Sequence, residues 1–175
     1  AYILEVNRTA RGPQIVRSRS HPGFVRRLFE LEVPEVAEGM VEIKSISREA
    51  GDRTKIAVCS NNEKVDCVGA CVGVRGSRVK GVVKELQGEK IDIVRWSENI
   101  EEYVQAALSP ATVSSVRISN REDKKVEVIV NEDQLSLAIG KNGQNVRLAS
   151  KLTGWSIDIR STKEVVKEKL ESQMA

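Results

Sequence analysis

Apolar positions along the chain change period at regular intervals, and the changes mark out a repeated order of elements. Residues 2–6 and 14–19 alternate as two strands around an Arg-Gly-Pro turn at 11–13. Ser20-His21-Pro22-Gly23 then opens a helix. Its stripe is Val25, Leu28 and Phe29, the i, i+3, i+4 spacing of one buried face, and Pro34 ends it or lies just beyond. Val41-Glu42-Ile43 and Lys55-Ile56-Ala57-Val58 predict strands across a Gly51-Asp52 turn. A short helix over 65–72 runs into Gly73-Val74-Arg75-Gly76. A second helix follows with Val79, Val82, Val83 and Leu86 on one face and Gly88 as its stop, and Ile91-Asp92-Ile93 is a strand.

The order then recurs. Ile100, Tyr103, Val104, Ala107 and Leu108 line a helix ended by Ser109-Pro110. Val116-Arg117-Ile118 and residues 126–130 are strands around the polar turn 120–124. Leu135, Ala138 and Ile139 line a short helix, Gly140-Lys141-Asn142-Gly143 follows, and the next helix carries Val146, Ala149 and Leu152 up to Gly154. The strand Ile157-Asp158-Ile159 closes the unit, and a single one-residue gap aligns the two halves. Units of this length exceed the roughly 20–50-residue period of solenoids, so two tandem domains of one type are expected. Residues 162–175 predict a polar linker or end helix with Thr162 as N-cap and a thin stripe of Val165, Val166 and Leu170.

Charge narrows the reading only locally. The formal net charge is +3, too small by itself to argue for a polyanionic partner. The excess is concentrated near the start, where Arg8, Arg11, Arg17, Arg19, Arg26 and Arg27 face only Glu5 and Glu30; these arginines either track phosphates or solvate a surface. Cys59, Cys67 and Cys71 form no C-x-x-C pair and His21 is the only histidine, so the about four ligands of a zinc site are not in view, and neither metal nor cofactor is expected. The odd cysteine count reads as reduced thiols in a cytoplasmic protein, with Cys67 and Cys71 as small buried hydrophobes. No nucleophile or carboxylate is tied to His21, which reads as a polar turn residue, and the chain reads as no enzyme. No apolar run approaches the roughly 20 residues of a membrane span. The chain does not start with Met, so it is read as a fragment.

The glycine-bracketed turns carry the chemistry. A helix start leaves backbone N–H groups without partners and bears partial positive charge, and phosphate oxygens answer both. A glycine at each end removes side chains that would hold a sugar-phosphate backbone away. The candidate site is therefore Gly73, Val74, Arg75, Gly76, Ser77 and Arg78, matched by Gly140, Lys141, Asn142, Gly143, Gln144, Asn145 and Arg147. Lys80, Lys84 and Lys151 extend the basic character. One such turn by itself more often marks a glycine-tightened helix corner; two at matched places in matched element order favour a phosphate grip. Gly-to-Asp changes in either turn are expected to cripple nucleic-acid binding and leave folding largely intact. A Rossmann reading fails, since the first unit reads Gly69-x-x-x-Gly73-x-x-Gly76. Trp96 and Trp155 either stack bases or pack at a domain surface, and Asp92 and Asp158 fall at equivalent, structural places opposite the flanking isoleucines.

An apolar residue before G-x-x-G, a helix after it and a strand next resembles the KH domain, a single-stranded RNA-binding module. The helix-strand-strand-helix-turn-helix-strand order is similar to the type II, bacterial form. Val-Gly-Ala-Cys-Val-Gly-Val-Arg-Gly-Ser-Arg-Val (68–79), Leu-Ala-Ile-Gly-Lys-Asn-Gly-Gln-Asn-Val-Arg-Leu-Ala (137–149), Phe-Glu-Leu-Glu-Val-Pro-Glu-Val (29–36) and Gly-Glu-Lys-Ile-Asp-Ile-Val (88–94) together resemble the NusA family of bacterial transcription factors. The resemblance implies an α+β chain of two tandem type II KH domains, at 21–96 and 97–161, preceded at 1–20 by the last strands of an OB-fold β-barrel and followed by residues 162–175. It implies single-stranded RNA as ligand, the RNA polymerase elongation complex as partner, and action in pausing, termination and antitermination. It further implies an aliphatic base groove, with Val72, Val79 and Ile91 or Ile139, Val146 and Ile157 as candidates by position, each also open to plain core packing. An alternative is the KH/OB portion of an RNA-processing or ribosome-associated protein.

Overall fold

The computed structural model describes residues 1–174. Strands β1 (Tyr2–Thr9) and β2 (Gly12–Ser18) pair as an antiparallel hairpin. Its apolar side chains Ile3, Val6 and Ile15 stand exposed; Tyr2 packs on the body of the protein, stacking flat on His21 with ring centroids 4.6 Å apart, and Ser18 Oγ accepts from the His21 N–H at 3.1 Å. His21 caps the next helix: its Nδ1 accepts from the Gly23 N–H at 2.9 Å.

The first unit then runs α1 (Pro22–Glu32), α2 (Pro34–Ala37), β3 (Val41–Glu49), β4 (Arg53–Ser60), α3 (Cys67–Val72), α4 (Ser77–Glu85) and β5 (Lys90–Arg95). The second repeats it as α5 (Ile100–Ala107), β6 (Ser115–Asn120), β7 (Lys125–Val130), α6 (Glu132–Ile139), α7 (Gln144–Thr153) and β8 (Ser156–Ser161), with α8 (Thr162–Met174) after it. Two features exceed the sequence expectation. Pro34 not only closes α1 but starts the one-turn helix α2, where a missing N–H costs nothing. Strands β3 and β4 run past the predicted segments 41–43 and 55–58; in β3 a bulge between Ile43 and Ser45 shifts the alternation and hides the continuation.

Each three-stranded sheet is centred on β4 or β7, antiparallel to the strand before it and parallel to the strand after it. A parallel neighbour requires a crossover, and in each unit the helix–loop–helix is that crossover. The loop is thereby fixed at both ends by helices packed on the sheet.

Strand β4 is buried on both faces. Ile56 and Val58 pack with Phe24, Val25, Phe29 and Val82 of their own unit. Ala57, with Val94, packs instead against Tyr103, Val104 and Ala107 of α5 and Ala149 and Leu152 of α7. The first sheet is therefore sandwiched between its own helices and two helices of the second unit. Polar ties cross this layer. The Leu152 carbonyl accepts from Tyr103 Oη at 3.1 Å and from Ser45 Oγ at 3.0 Å, and burial pushes the Tyr103 phenol up to about 12.

Two buried ionic clusters had no counterpart in the sequence reading. Lys55 donates to Asp92 Oδ2 at 2.9 Å and to the Ser109 carbonyl at 2.7 Å, and Arg53 grips the same carboxylate at 2.7 and 2.9 Å. Glu89 accepts from Arg48, from Thr54 Oγ1 at 2.7 Å and from the Gly51 N–H at 2.7 Å, and Arg48 donates onward to the carbonyls of Arg19 and His21. Asp92 thus lies on the covered face of its sheet, opposite Ile91 and Ile93, whereas Asp158 is exposed. Trp96 and Trp155 both pack against the core, Trp96 between the edge of Tyr103 and the ammonium of Lys44. Cys67 and Cys71 are buried apolar fillers.

Candidate nucleic-acid interface

The two glycine loops adopt the same backbone. Gly73 and Gly140 have φ/ψ of 76°/172° and 78°/168°; Arg75 and Asn142 have 54°/28° and 55°/27°; Gly76 and Gly143 have 75°/17° and 72°/16°. The first glycine of each loop occupies a region essentially restricted to glycine. A Cβ there would also lie 2.9 Å from the Arg78 backbone nitrogen in the first unit and 2.7 Å from that of Asn145 in the second. The second glycine needs only its left-handed φ; nothing approaches a Cβ on Gly76 closer than 3.5 Å. The expectation that Gly-to-Asp leaves folding intact is therefore revised for Gly73 and Gly140, whose substitution disturbs the loop itself.

Each loop opens directly into a helix with no side chain capping its first turn, so no side chain competes there with an incoming acceptor; the N–H groups of Gly76 and Ser77, and of Gly143 and Gln144, bond back to the carbonyls of Gly73 and Val74, and of Gly140 and Lys141. Val74, Arg75 and Ser77, and Lys141 and Asn142 in the second unit, are exposed. A shared brace holds the loop from below. Lys80 Nζ donates to the Arg75 carbonyl at 3.0 Å, and Arg147 Nη1 donates to the Asn142 carbonyl at 3.0 Å. The carbonyl of the left-handed residue is taken up by the protein in both copies.

The other side chains of the candidate site bond to the protein itself. Arg78 donates to Glu35 at 2.8 Å and to the Ala70 carbonyl at 2.7 Å. Asn145 is buried, its Nδ2 shared between the carbonyls of Leu108 and Ala138 at 3.0 and 2.9 Å. Both fasten the helix after the loop to the helix before it. Gln144 and Arg147 reach across to the first unit: Gln144 Nε2 donates to Glu49 at 2.9 Å and Asp52 at 2.6 Å, and Arg147 Nε donates to Glu49 at 2.6 Å. The hydrogen bonds from Arg147 and then Gln144 hold the Glu49 carboxyl below the usual carboxylate range. Glu35, Glu49 and Asp52 were not foreseen. No local signal could have found Glu49, which meets a partner 98 residues away.

The aliphatic candidates divide. Val79, Ile91 and Ile157 pack against the cores, whereas Val72, Ile139 and Val146 are half-buried flanks of the loops outside those clusters. Between the β3–β4 turn and the second loop lies a cleft of about 680 Å³ walled by Glu49, Asp52, Lys90, Leu137, Lys141 and Asn142. Of the N-terminal arginines, Arg19 stacks on Phe24 and bonds the Glu85 carbonyl, Arg26 bonds the Ile43 carbonyl, and Arg27 pairs with Glu30. Among the described residues no group of three or more His, Cys, Asp or Glu side chains is placed to hold a metal ion, and no helix is long and apolar enough to cross a membrane.

Two sheets of this topology, each crossed by helix–glycine loop–helix, define an α+β protein of tandem KH domains. Residues 19–96 match the NusA-like first KH domain and residues 100–167 the NusA-like second KH domain; the chain belongs to the NusA family. It is 63% identical over 164 residues to the transcription termination/antitermination protein NusA of Halalkalibacterium halodurans, covering 94% of this chain and 43% of that protein. The NusA of Mycobacterium tuberculosis is 54% identical over 91% of this chain and 46% of its own length. The chain thus spans less than half the length of these curated relatives. The crystal structure of APE1850 has a similar fold, with a TM-score of 0.55 at 27% identity over 79% of this chain and 97% of that one.

Proposed function

We propose that this chain is the RNA-holding portion of a transcription factor, and that each glycine loop seats the sugar-phosphate backbone of single-stranded RNA. The carrying observation is the duplicated loop, identical in backbone within a few degrees and opening each time into an uncapped helix start. Arg75 and Ser77 in the first unit, and Lys141 and Asn142 in the second, are the side chains exposed to touch phosphates. Arg78, Asn145, Gln144 and Arg147 act by holding the loops in shape. Val72, Ile139 and Val146 are the aliphatic positions open to bases. A KH loop contacts about four nucleotides, so one strand engaging both units gains avidity. The scarcity of aromatic side chains suits such a groove better than a base-stacking sheet. Residues 21–96 and 97–161 are the two RNA-binding units, and the hairpin within 1–20 is the edge of an OB-type barrel. No catalysis, metal or cofactor enters this role. Its setting is the cytoplasmic RNA polymerase elongation complex, where holding nascent RNA bears on pausing, termination and antitermination.

The test is binding of a random-sequence single-stranded RNA to the chain carrying Lys141→Asp with Asn142→Asp, and separately Arg75→Asp. Affinity should fall about tenfold or more in each, as attraction to phosphate becomes repulsion, with thermal stability unchanged. Wild-type affinity in both variants would overturn the proposal.

A further inference from the structure

The two loops share a backbone but not a support. In the second unit, Arg147 spans two acceptors at once, the Asn142 carbonyl through Nη1 and Glu49 through Nε, while Gln144 binds the other oxygen of Glu49 and also Asp52. Glu49 and Asp52 belong to the β3–β4 turn of the first unit. In the first unit the equivalent positions are Ser77 and Lys80, and the brace is a single contact from Lys80 to the Arg75 carbonyl. The second loop is thus buttressed by a carboxylate from its neighbour, and the first loop is not.

Arginine suits this place because its planar fork serves two acceptors in fixed directions, which an ammonium does not. Charge-assisted bonds of this length are about twice as strong as neutral ones. The sandwich of the first sheet between its own helices and α5 and α7 holds the turn and the loop in register. We infer that Glu49 is a positioning residue for the second RNA-binding loop: through Arg147 and Gln144 it pre-orders that loop, so that the first unit sets the affinity of the second. The inference rests on the RNA-binding reading above.

It predicts a contrast within the unmodified chain. Backbone amides at 141–143 exchange with solvent more slowly than those at 74–76. Glu49→Gln, which keeps shape but removes the charge, should speed exchange at 141–143 and leave 74–76 unchanged. Affinity for the random single-stranded RNA should fall about threefold to fivefold, the scale of one partly exposed ion pair. Lys141→Asp with Asn142→Asp is the control that separates the two claims. If that control binds RNA like wild type, the RNA reading of the second loop fails. If the control loses affinity while Glu49→Gln keeps or gains it, with exchange at 141–143 unaltered, the positioning role alone fails. Should Glu49→Gln fail to fold, the wild-type comparison decides, and equal exchange in the two loops overturns the inference.

Discussion

Lys55 and Asp92 are direct register partners on the parallel strands β4 and β5, and their side chains meet at 2.9 Å on the face of the first sheet that the second unit covers. Lys55 is fully buried and also donates to the Ser109 carbonyl of the second unit. Burial lowers the Lys55 pKa more than its attraction to Asp92 raises it. Burial works to raise Asp92, but hydrogen bonds from Arg53 and the charge of Lys55 outweigh it and hold the carboxyl below its ordinary range.

Removing one partner leaves the other buried without its counter-charge. Asp92→Ala should destabilise the chain by about 3–5 kcal/mol, read from urea denaturation, and by more than the exposed Asp158→Ala. Acid should do the same reversibly. A carboxyl with a depressed folded pKa contributes fully above its unfolded pKa of about 3.9, and that contribution is lost as pH falls through the lower folded value. Stability should therefore drop below about pH 4, and the drop should be smaller in Asp92→Asn. Lys55 works in the other direction: with its folded pKa lowered, its own cost is relieved as pH rises toward about 10.4, so it adds no lability to alkali.

The paired glycines separate two costs. Gly140→Ala meets both a glycine-only conformation and the Asn145 backbone nitrogen at 2.7 Å, whereas Gly143→Ala meets only its left-handed φ. Denaturation should show about 1–2 kcal/mol lost for Gly143→Ala and clearly more for Gly140→Ala. Gly73 and Gly76 should repeat the order.

Tyr103→Phe removes the hydroxyl that bonds the Leu152 carbonyl in the inter-unit layer and lies beside Ser45, and keeps the ring. The Leu152 carbonyl keeps Ser45 as donor, so the loss should be only about 1 kcal/mol in thermal or urea unfolding.

The logarithm of the RNA binding constant should fall linearly with the logarithm of salt, with a slope of about −0.7 for each phosphate neutralised on a single strand. Arg75→Ala and Lys141→Ala should each flatten that slope. Measured affinities that ignore salt would contradict a phosphate grip.

Thiol labelling reports the core. Burial pushes the Cys71 thiol up to about 12, and thiolate is the reacting species. Cys71 should resist iodoacetamide at pH 8 in the folded chain and label at once in denaturant.

Local signals carried most of the element order, and particular residues show why. The stripe Val25, Leu28, Phe29 marks α1, and Gly88 and Gly154 sit past the ends of their helices with positive φ. The duplicated loops were visible because glycine at fixed spacing is itself a statement about backbone geometry. The bulge at Ile43/Ser45 and the short helix at Pro34 were not, since each depends on what the neighbouring segment does. Within the candidate site, Arg75 and Asn145 look alike on paper as polar residues of a glycine turn. One stands in solvent and the other is sealed under two carbonyls.

Sequence alone determined the two units, most of their element order and the loop that defines them, because periodicity, glycine and helix-stopping residues act over a few positions of chain. Tertiary structure decided that the first sheet is covered by the second unit, that Lys55 and Asp92 are buried together, and that Glu49 supports a loop far along the chain. Those outcomes depend on which surfaces are taken from water when the units pack, and charges that look solvated in one dimension become buried pairs only then.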